Sequence, residues 1–93
     1  MKTFFVDAQE MARKHPDTFK APTKKELKSI KVGDFVKVCA NNEERFWVMV
    51  KSVEGNQITG TIDNQLICKG HGLKYQDQIT FYKKNIYQKL EEK

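Results

Sequence analysis

Apolar and polar positions alternate over residues 44–51, where Phe46, Val48 and Val50 interleave with Trp47, Met49 and Lys51. This period of two predicts a strand with two different faces, both of them largely apolar. Gly55-Asn56 follows with Gly first, the order of a type II′ hairpin turn, because φ is positive at that position. Ile58 and Ile62 then return with Thr59 and Thr61 between them, so residues 44–64 read as the β-hairpin around which the chain is organised. Gly60 stands mid-strand, where a missing side chain marks a bulge or a close approach by another segment.

The period lengthens upstream. Ala8, Met11, Ala12 and His15 recur at three- and four-residue spacing behind Asp7-Ala8-Gln9-Glu10, a capping box that opens a short helix. Pro16 ends it near His15, since a proline disfavours helical geometry in the residue before it. Residues 16–22 read as an extended connector anchored by Phe19. A second capping box, Thr23-Lys24-Lys25-Glu26, opens a helix of about two turns whose Leu27 and Ile30 share a face. Phe35-Val36-Lys37-Val38-Cys39 is the next strand, with Val36 and Val38 on one side, and the polar run 41–44 connects it to the hairpin. Asp63-Asn64-Gln65 reads as a turn, Leu66-Ile67-Cys68 as a short strand, 69–72 as a Gly-containing loop and residues 79–82 as a further strand. A tight helical turn over 83–87 and a frayed tail over 88–93 complete the chain.

These elements predict one α+β domain in which a small, partly open antiparallel SH3-like β-barrel over 33–87 is preceded by two short N-terminal helices within 1–32. Phe46, Val48 and Val50 should fill the barrel, with Trp47 and Met49 covered by the N-terminal helix and Phe19.

Ninety-three residues suffice for one core and no second. No apolar run approaches the ~20 residues that span a bilayer. The start offers one Lys and three consecutive apolar residues, short of a signal-peptide centre, so the expectation is a cytoplasmic protein without a membrane partner and with reduced Cys39 and Cys68. The net charge of +5 is unevenly spread: residues 1–33 carry eight basic and four acidic side chains, 34–64 three and five, and 65–93 six and three. Positive charge therefore collects at the two ends of the chain and leaves the hairpin slightly acidic, which argues against the hairpin as a phosphate surface. Arg13 and Arg45 are the two arginines, and lysine charge of this kind also serves solubility.

Four blocks, Gly33-Asp34-Phe35-Val36-Lys37-Val38, Glu44-Arg45-Phe46-Trp47-Val48-Met49-Val50, Ile58-Thr59-Gly60-Thr61-Ile62-Asp63-Asn64 and Gly72-Leu73-Lys74-Tyr75-Gln76-Asp77, resemble the bacterial domain-of-unknown-function family 2314. The resemblance covers about residues 16–87, and Pro16-Asp17-Thr18-Phe19 is similar to the P-x-T-F motif of that family. Gln76 departs from it, standing where the family usually has Gly in a Y-G-D turn. The resemblance implies the small-barrel fold and carries no established activity.

Cys68-Lys69-Gly70-His71 has the C-x-x-H spacing, with Cys39 and His15 as possible completing ligands of a zinc site, but the paired C-x-x-C knuckles of structural zinc sites are absent. Nor does the sequence supply an orienting group or oxyanion hole for a Cys68/His71 nucleophile. Glu43 and Glu44 fall in a polar turn without burial to raise a pKa. No catalytic residue, metal or cofactor is expected. The aromatics Phe35, Trp47, Tyr75, Tyr82 and Tyr87 serve either core packing or stacking. The leading expectation is a non-enzymatic interaction module that binds a protein or peptide through Arg45, Trp47, Asp63, Asn64 and Tyr75. The alternative is nucleic-acid binding through Lys24, Lys25, Lys28, Lys83 and Lys84.

Overall fold

The computed structural model describes residues 4–66 and 72–90. The hairpin forms as its pattern predicts: β2 (Glu44–Glu54) pairs antiparallel with β3 (Gln57–Ile62). Gly55 takes φ +59 between Glu54 and Gln57, the geometry that Gly-first turns need. Between the pairs Val50↔Gly60 and Ser52↔Thr59 the register shifts, so Lys51 is an extra residue in a β-bulge. Gly60 faces that bulge, and a Cβ there would lie 2.5 Å from the Met49 carbonyl oxygen and 2.6 Å from Val48 Cγ1. Both readings of this glycine, bulge and close approach, hold at once.

β1 (Phe35–Ala40) pairs with β2, and β4 (Gln78–Tyr82) pairs with β3. The expected frayed tail is in part a strand. Gln88–Lys89 form β5 against Val36 and Lys37 of β1, supported by the bonds from the Tyr87 N–H to the Lys37 carbonyl at 2.8 Å and from the Leu90 N–H to the Phe35 carbonyl at 2.9 Å. The Lys89 amine also reaches Ser29 Oγ at 3.2 Å and Asp34 at 3.7 Å in a largely buried setting, which gives this terminal segment a polar anchor. The sheet order is β4-β3-β2-β1-β5, antiparallel throughout, and the sheet does not close.

One apolar cluster covers one face of the sheet: Val36, Val38, Phe46, Val48, Val50, Ile58, Ile62, Ile79, Phe81 and Ile86, with Ile30 and the half-buried Leu27 packed against it. Alternation dictates the strand residues of this set, because each strand turns every second side chain inward. Burial of a side chain of this size contributes about 1.5–3 kcal/mol. A second, smaller cluster lies on the opposite side of β1, where Cys39 packs with Val6, Ala8 and Tyr87.

The helices follow their caps. In α1 (Ala8–Lys14) the Glu10 N–H donates to Asp7 Oδ1 at 3.0 Å, while the Glu10 carboxylate turns to Arg13 and Lys14, 3.3 Å from each, instead of back to Asp7. Ala8 is buried, but His15, expected on the apolar stripe, is exposed beside the Phe19 ring at 5.8 Å. In α2 (Lys24–Lys28) both halves of the Thr23/Glu26 box are made, at 3.2 and 3.0 Å. The connector between them is not extended at its start: residues 16–18 turn, held by bonds from the Thr18 and Phe19 N–H groups to the His15 carbonyl.

A 3-10 turn, Lys83–Asn85, follows β4. Asn85, a buried polar residue, accepts from the Tyr82 N–H at 2.8 Å and donates to the Phe5 and Val6 carbonyls, each at 3.1 Å. One side chain thereby ties the chain start to the end of the sheet. Gln76 holds φ +72 in its turn, with its N–H bonded to the Ile62 carbonyl, so the turn keeps the left-handed geometry that Gly favours.

Candidate functional site: a lysine-lined cleft

The residues grouped in the leading expectation occupy the outer side of β2 and the turns beyond it. Arg45 is exposed, with its guanidinium 4.4 Å from the Tyr87 ring centre and 5.6 Å from that of Phe19. Trp47, two residues along, is half-buried under the Lys37 amine at 4.9 Å. The expected cover for Trp47 and Met49 is not there. Helix α1 and Phe19 pack on Cys39 and Tyr87, at the end of β1 paired with Arg45, whereas the group over Trp47 is the Lys37 amine. The helix is only seven residues long and its entry is fixed by the Phe5–Ala40 bridge, which directs it to that end of the sheet.

Asn64 is committed locally. Its Oδ1 accepts from the Trp47 N–H at 2.6 Å and its amide donates to the Gln65 carbonyl at 3.1 Å, while the Asp63 N–H bonds the Trp47 carbonyl. Asn64 therefore extends the β2–β3 ladder past the last strand pair, and Asp63 is exposed beside it. Tyr75, 43% exposed, sits in the 74–77 turn that Asp77 caps through the Lys74 N–H at 2.9 Å. A cleft of about 450 Å³ borders Arg45 and is lined by Phe19, Lys20, Lys37, Tyr87 and Gln88.

Cys39 lies beneath this surface. Burial pushes its thiol pKa up, against the pull of Arg45. Burial likewise raises the Tyr87 phenol, with the neighbouring Cys39 adding to the shift and Arg45 opposing it. A thiol held in its neutral form is a poor nucleophile. Cys68 and His71 lie outside the described residues. Among the described residues no three His, Cys, Asp or Glu side chains gather as a metal site, and no helix is long and apolar enough to cross a membrane.

The alternative set behaves differently. Lys24 and Lys28 from α2 and Lys83 and Lys84 from the 3-10 turn line one cleft of about 560 Å³, together with Gln9, Leu27, Asn56 and Tyr82. Lys25, on the same short helix, is exposed and not part of the lining. Two local facts build this site. The Thr23 cap sets the phase of α2 so that Lys24 and Lys28 project one turn apart on one side, and alternation in β4 puts Ile79 and Phe81 inside and Tyr82 outside, 51% exposed. One long-range fact completes it: the Lys83 N–H bonds the Asn56 carbonyl at 2.9 Å, bringing the hairpin turn against the end of β4. Among the described residues the lining contains no carboxylate, and none of the four lysines lies over a ring or pairs with an acid.

Asn56, Leu27 and Gln9 were not singled out as site residues from the sequence. The alternation that exposes Tyr82 was readable, but nothing local brings the 55–56 turn or α1 to it. Such a cleft concentrates positive potential on a concave surface with one aromatic wall, which suits a polyanion that also carries flat rings. Compared with protein-family models, with curated proteins and with solved structures, the chain matches none.

Proposed function

We propose that the protein is a non-enzymatic binding module for nucleic acid, acting through the cleft between α2 and the 3-10 turn. The observation that carries this reading is the convergence of Lys24, Lys28, Lys83 and Lys84, from distant parts of the chain, on one cavity that no carboxylate lines among the described residues. Lysines act as point charges towards phosphate, so the binding is electrostatic and largely indifferent to sequence. In the same reading the open five-stranded sheet is an SH3-like barrel: the bulge at Lys51 bends the 11-residue β2 so that it serves both halves, and β5 returns to β1 after the 3-10 turn. The chain would then be a divergent member of the family its four sequence blocks resemble.

Titration of a fluorescent mixed DNA or RNA pool against salt tests the reading. Four phosphate contacts are expected to give a slope of about −3 in log affinity against log salt, reduced by roughly 0.7–0.9 for each lysine replaced by Gln. Absence of binding at low salt, or a slope unchanged in Lys24→Gln/Lys83→Gln, would remove it.

A second reading, a protein or peptide docked near Arg45, Trp47, Asp63, Asn64 and Tyr75, is favoured by the exposed Tyr75 ring and by the aromatic and arginine walls of the 450 Å³ cleft. Crosslinking through a photoreactive residue at position 75 distinguishes it: labelling of a discrete partner at 75 and not at 82 favours this surface over the lysine cleft.

A further inference from the structure

Tyr82 holds its place in the lysine cleft by backbone bonds on both sides. Its N–H is taken by Asn85 Oδ1, Asn85 is itself anchored to the Phe5 and Val6 carbonyls, and the next N–H, that of Lys83, is bonded to the Asn56 carbonyl. The ring is half exposed, lines the cavity, and has no aromatic partner among the described residues. An unstacked ring on an anchored backbone, flanked by cations, offers a nucleobase a face on which to stack while its phosphates are neutralised. The cavity of about 560 Å³ falls in the ~300–1,000 Å³ range of small-ligand pockets, so it has room for a base and not merely a phosphate.

The shape selects between forms of nucleic acid. A duplex keeps its bases stacked inside and offers a convex backbone, which cannot lay a base flat against the aromatic wall of a cleft. Reading of the major groove calls for a helix or ribbon that enters it. Here α2 has five residues and lies against the core through Leu27, with its lysines along the wall of the cleft and not on a protruding face. Asn56 adds a side-chain amide at the rim, able to donate to or accept from a base edge.

Resting on the nucleic-acid reading of this cleft, we propose that its ligand is single-stranded, with one base stacked on Tyr82 and the phosphates on either side held by the Lys24/Lys28 and Lys83/Lys84 pairs. Tyr82 is thus a base-stacking residue, and the site discriminates against duplex.

The test is fluorescence anisotropy with the full chain and a labelled oligo-dT of about ten nucleotides, a length that one small-barrel site can span, beside a blunt duplex of equal length and inorganic tripolyphosphate as a competitor. The single strand is expected to bind more tightly than the duplex. Tyr82→Leu is expected to lose about 5- to 100-fold in affinity for the single strand, Tyr82→Phe to stay within about threefold of the parent, and competition by tripolyphosphate to be unchanged by either. Thermal melts of both variants confirm folding, which an exposed position tolerates. Equal binding by Tyr82→Leu and the parent, with loss only in Lys24→Gln/Lys83→Gln, overturns the stacking while leaving a polyanion site in place. Tighter binding of the duplex overturns the single-strand assignment. Failure of both nucleic acids to bind overturns the reading on which the proposal rests.

Discussion

Cations meet aromatic rings in two places on this molecule, and the two places use them in opposite ways. On the outer side of β1 and β2, Arg45 lies 4.4 Å from the Tyr87 ring and Lys37 4.9 Å from that of Trp47, so these charges cover the protein's own aromatics. Between α2 and the 3-10 turn, four lysines line an open cavity with Tyr82 among them and lie over no ring among the described residues. A long cationic side chain laid along an aromatic is part of the packing, with its head left in water. One that borders an empty concavity is available to a ligand. Counting lysines and arginines along the chain cannot separate these cases, because the distinction lies in what each side chain covers.

Charge exchange gives the sharpest way to break the comparison. Lys24→Glu/Lys83→Glu is expected to weaken nucleic-acid binding by about 100-fold, whereas Lys37→Met and Arg45→Met should leave it within about threefold, as read by anisotropy at fixed salt. Equal losses at both surfaces would mean that the two are not functionally different.

The next effect is on stability. Asn85 positions the turn that carries Lys83 and Lys84, and it does so through three hydrogen bonds made in a buried setting. Asn85→Ala is expected to cost about 2 kcal/mol, roughly 8–16 °C in Tm for a domain of this size. An unchanged melting curve would show that the clamp contributes nothing.

Arg45 offers a smaller effect with a defined pH sign. The Cys39 and Tyr87 pKa values are both raised in the folded state, chiefly by burial, so the folded chain retains protons that the unfolded chain releases. Stability is therefore complete below the ordinary thiol value of 9.0 and declines as pH rises through that value and the ordinary phenol value of 10.0. Arg45 lowers both values, so Arg45→Met should raise them further and steepen the alkaline loss, while costing about 1 kcal/mol through its packing on Tyr87. Chemical denaturation across neutral to alkaline pH reads both, and Cys39→Ala should remove the thiol's share of the slope.

The smallest effect lies outside the lysine cleft and serves as its control. Gln76 occupies φ +72, where a side chain costs about 1–2 kcal/mol and Gly is unstrained, less the extra freedom Gly gains on unfolding. Gln76→Gly is expected to stabilise by about 0.5–1 kcal/mol without altering nucleic-acid binding at the lysine cleft.

Local rules were legible along the chain. The β2–β3 hairpin, its Gly55 turn, both helix caps and the inward set of Val36, Val38, Phe46, Val48 and Val50 follow from periodicity and from bonds spanning a few residues. Gly60 was legible as well, since a missing side chain within a strand has few meanings. Gln88–Lys89 were not, because two polar residues carry no strand signal of their own and are ordered by partners at Val36 and Lys37. What covers Trp47 has no local signal for a related reason. Its alternation established that it faces outward, but where α1 would lie depended on the Phe5–Ala40 bridge and on Tyr87, neither of which has a local signature.

The candidate site divides along the same line. Its charge, the phase of Lys24 and Lys28 on α2 and the outward turn of Tyr82 come from the amino-acid order, since backbone periodicity sets the direction of each side chain within one or two turns. Which lysines share a cleft, that Lys25 is left out of it, and that Asn56 closes its rim were decided by the tertiary structure. The bond from the Lys83 N–H to the Asn56 carbonyl and the hold of Asn85 on the chain start unite segments that local forces cannot bring together.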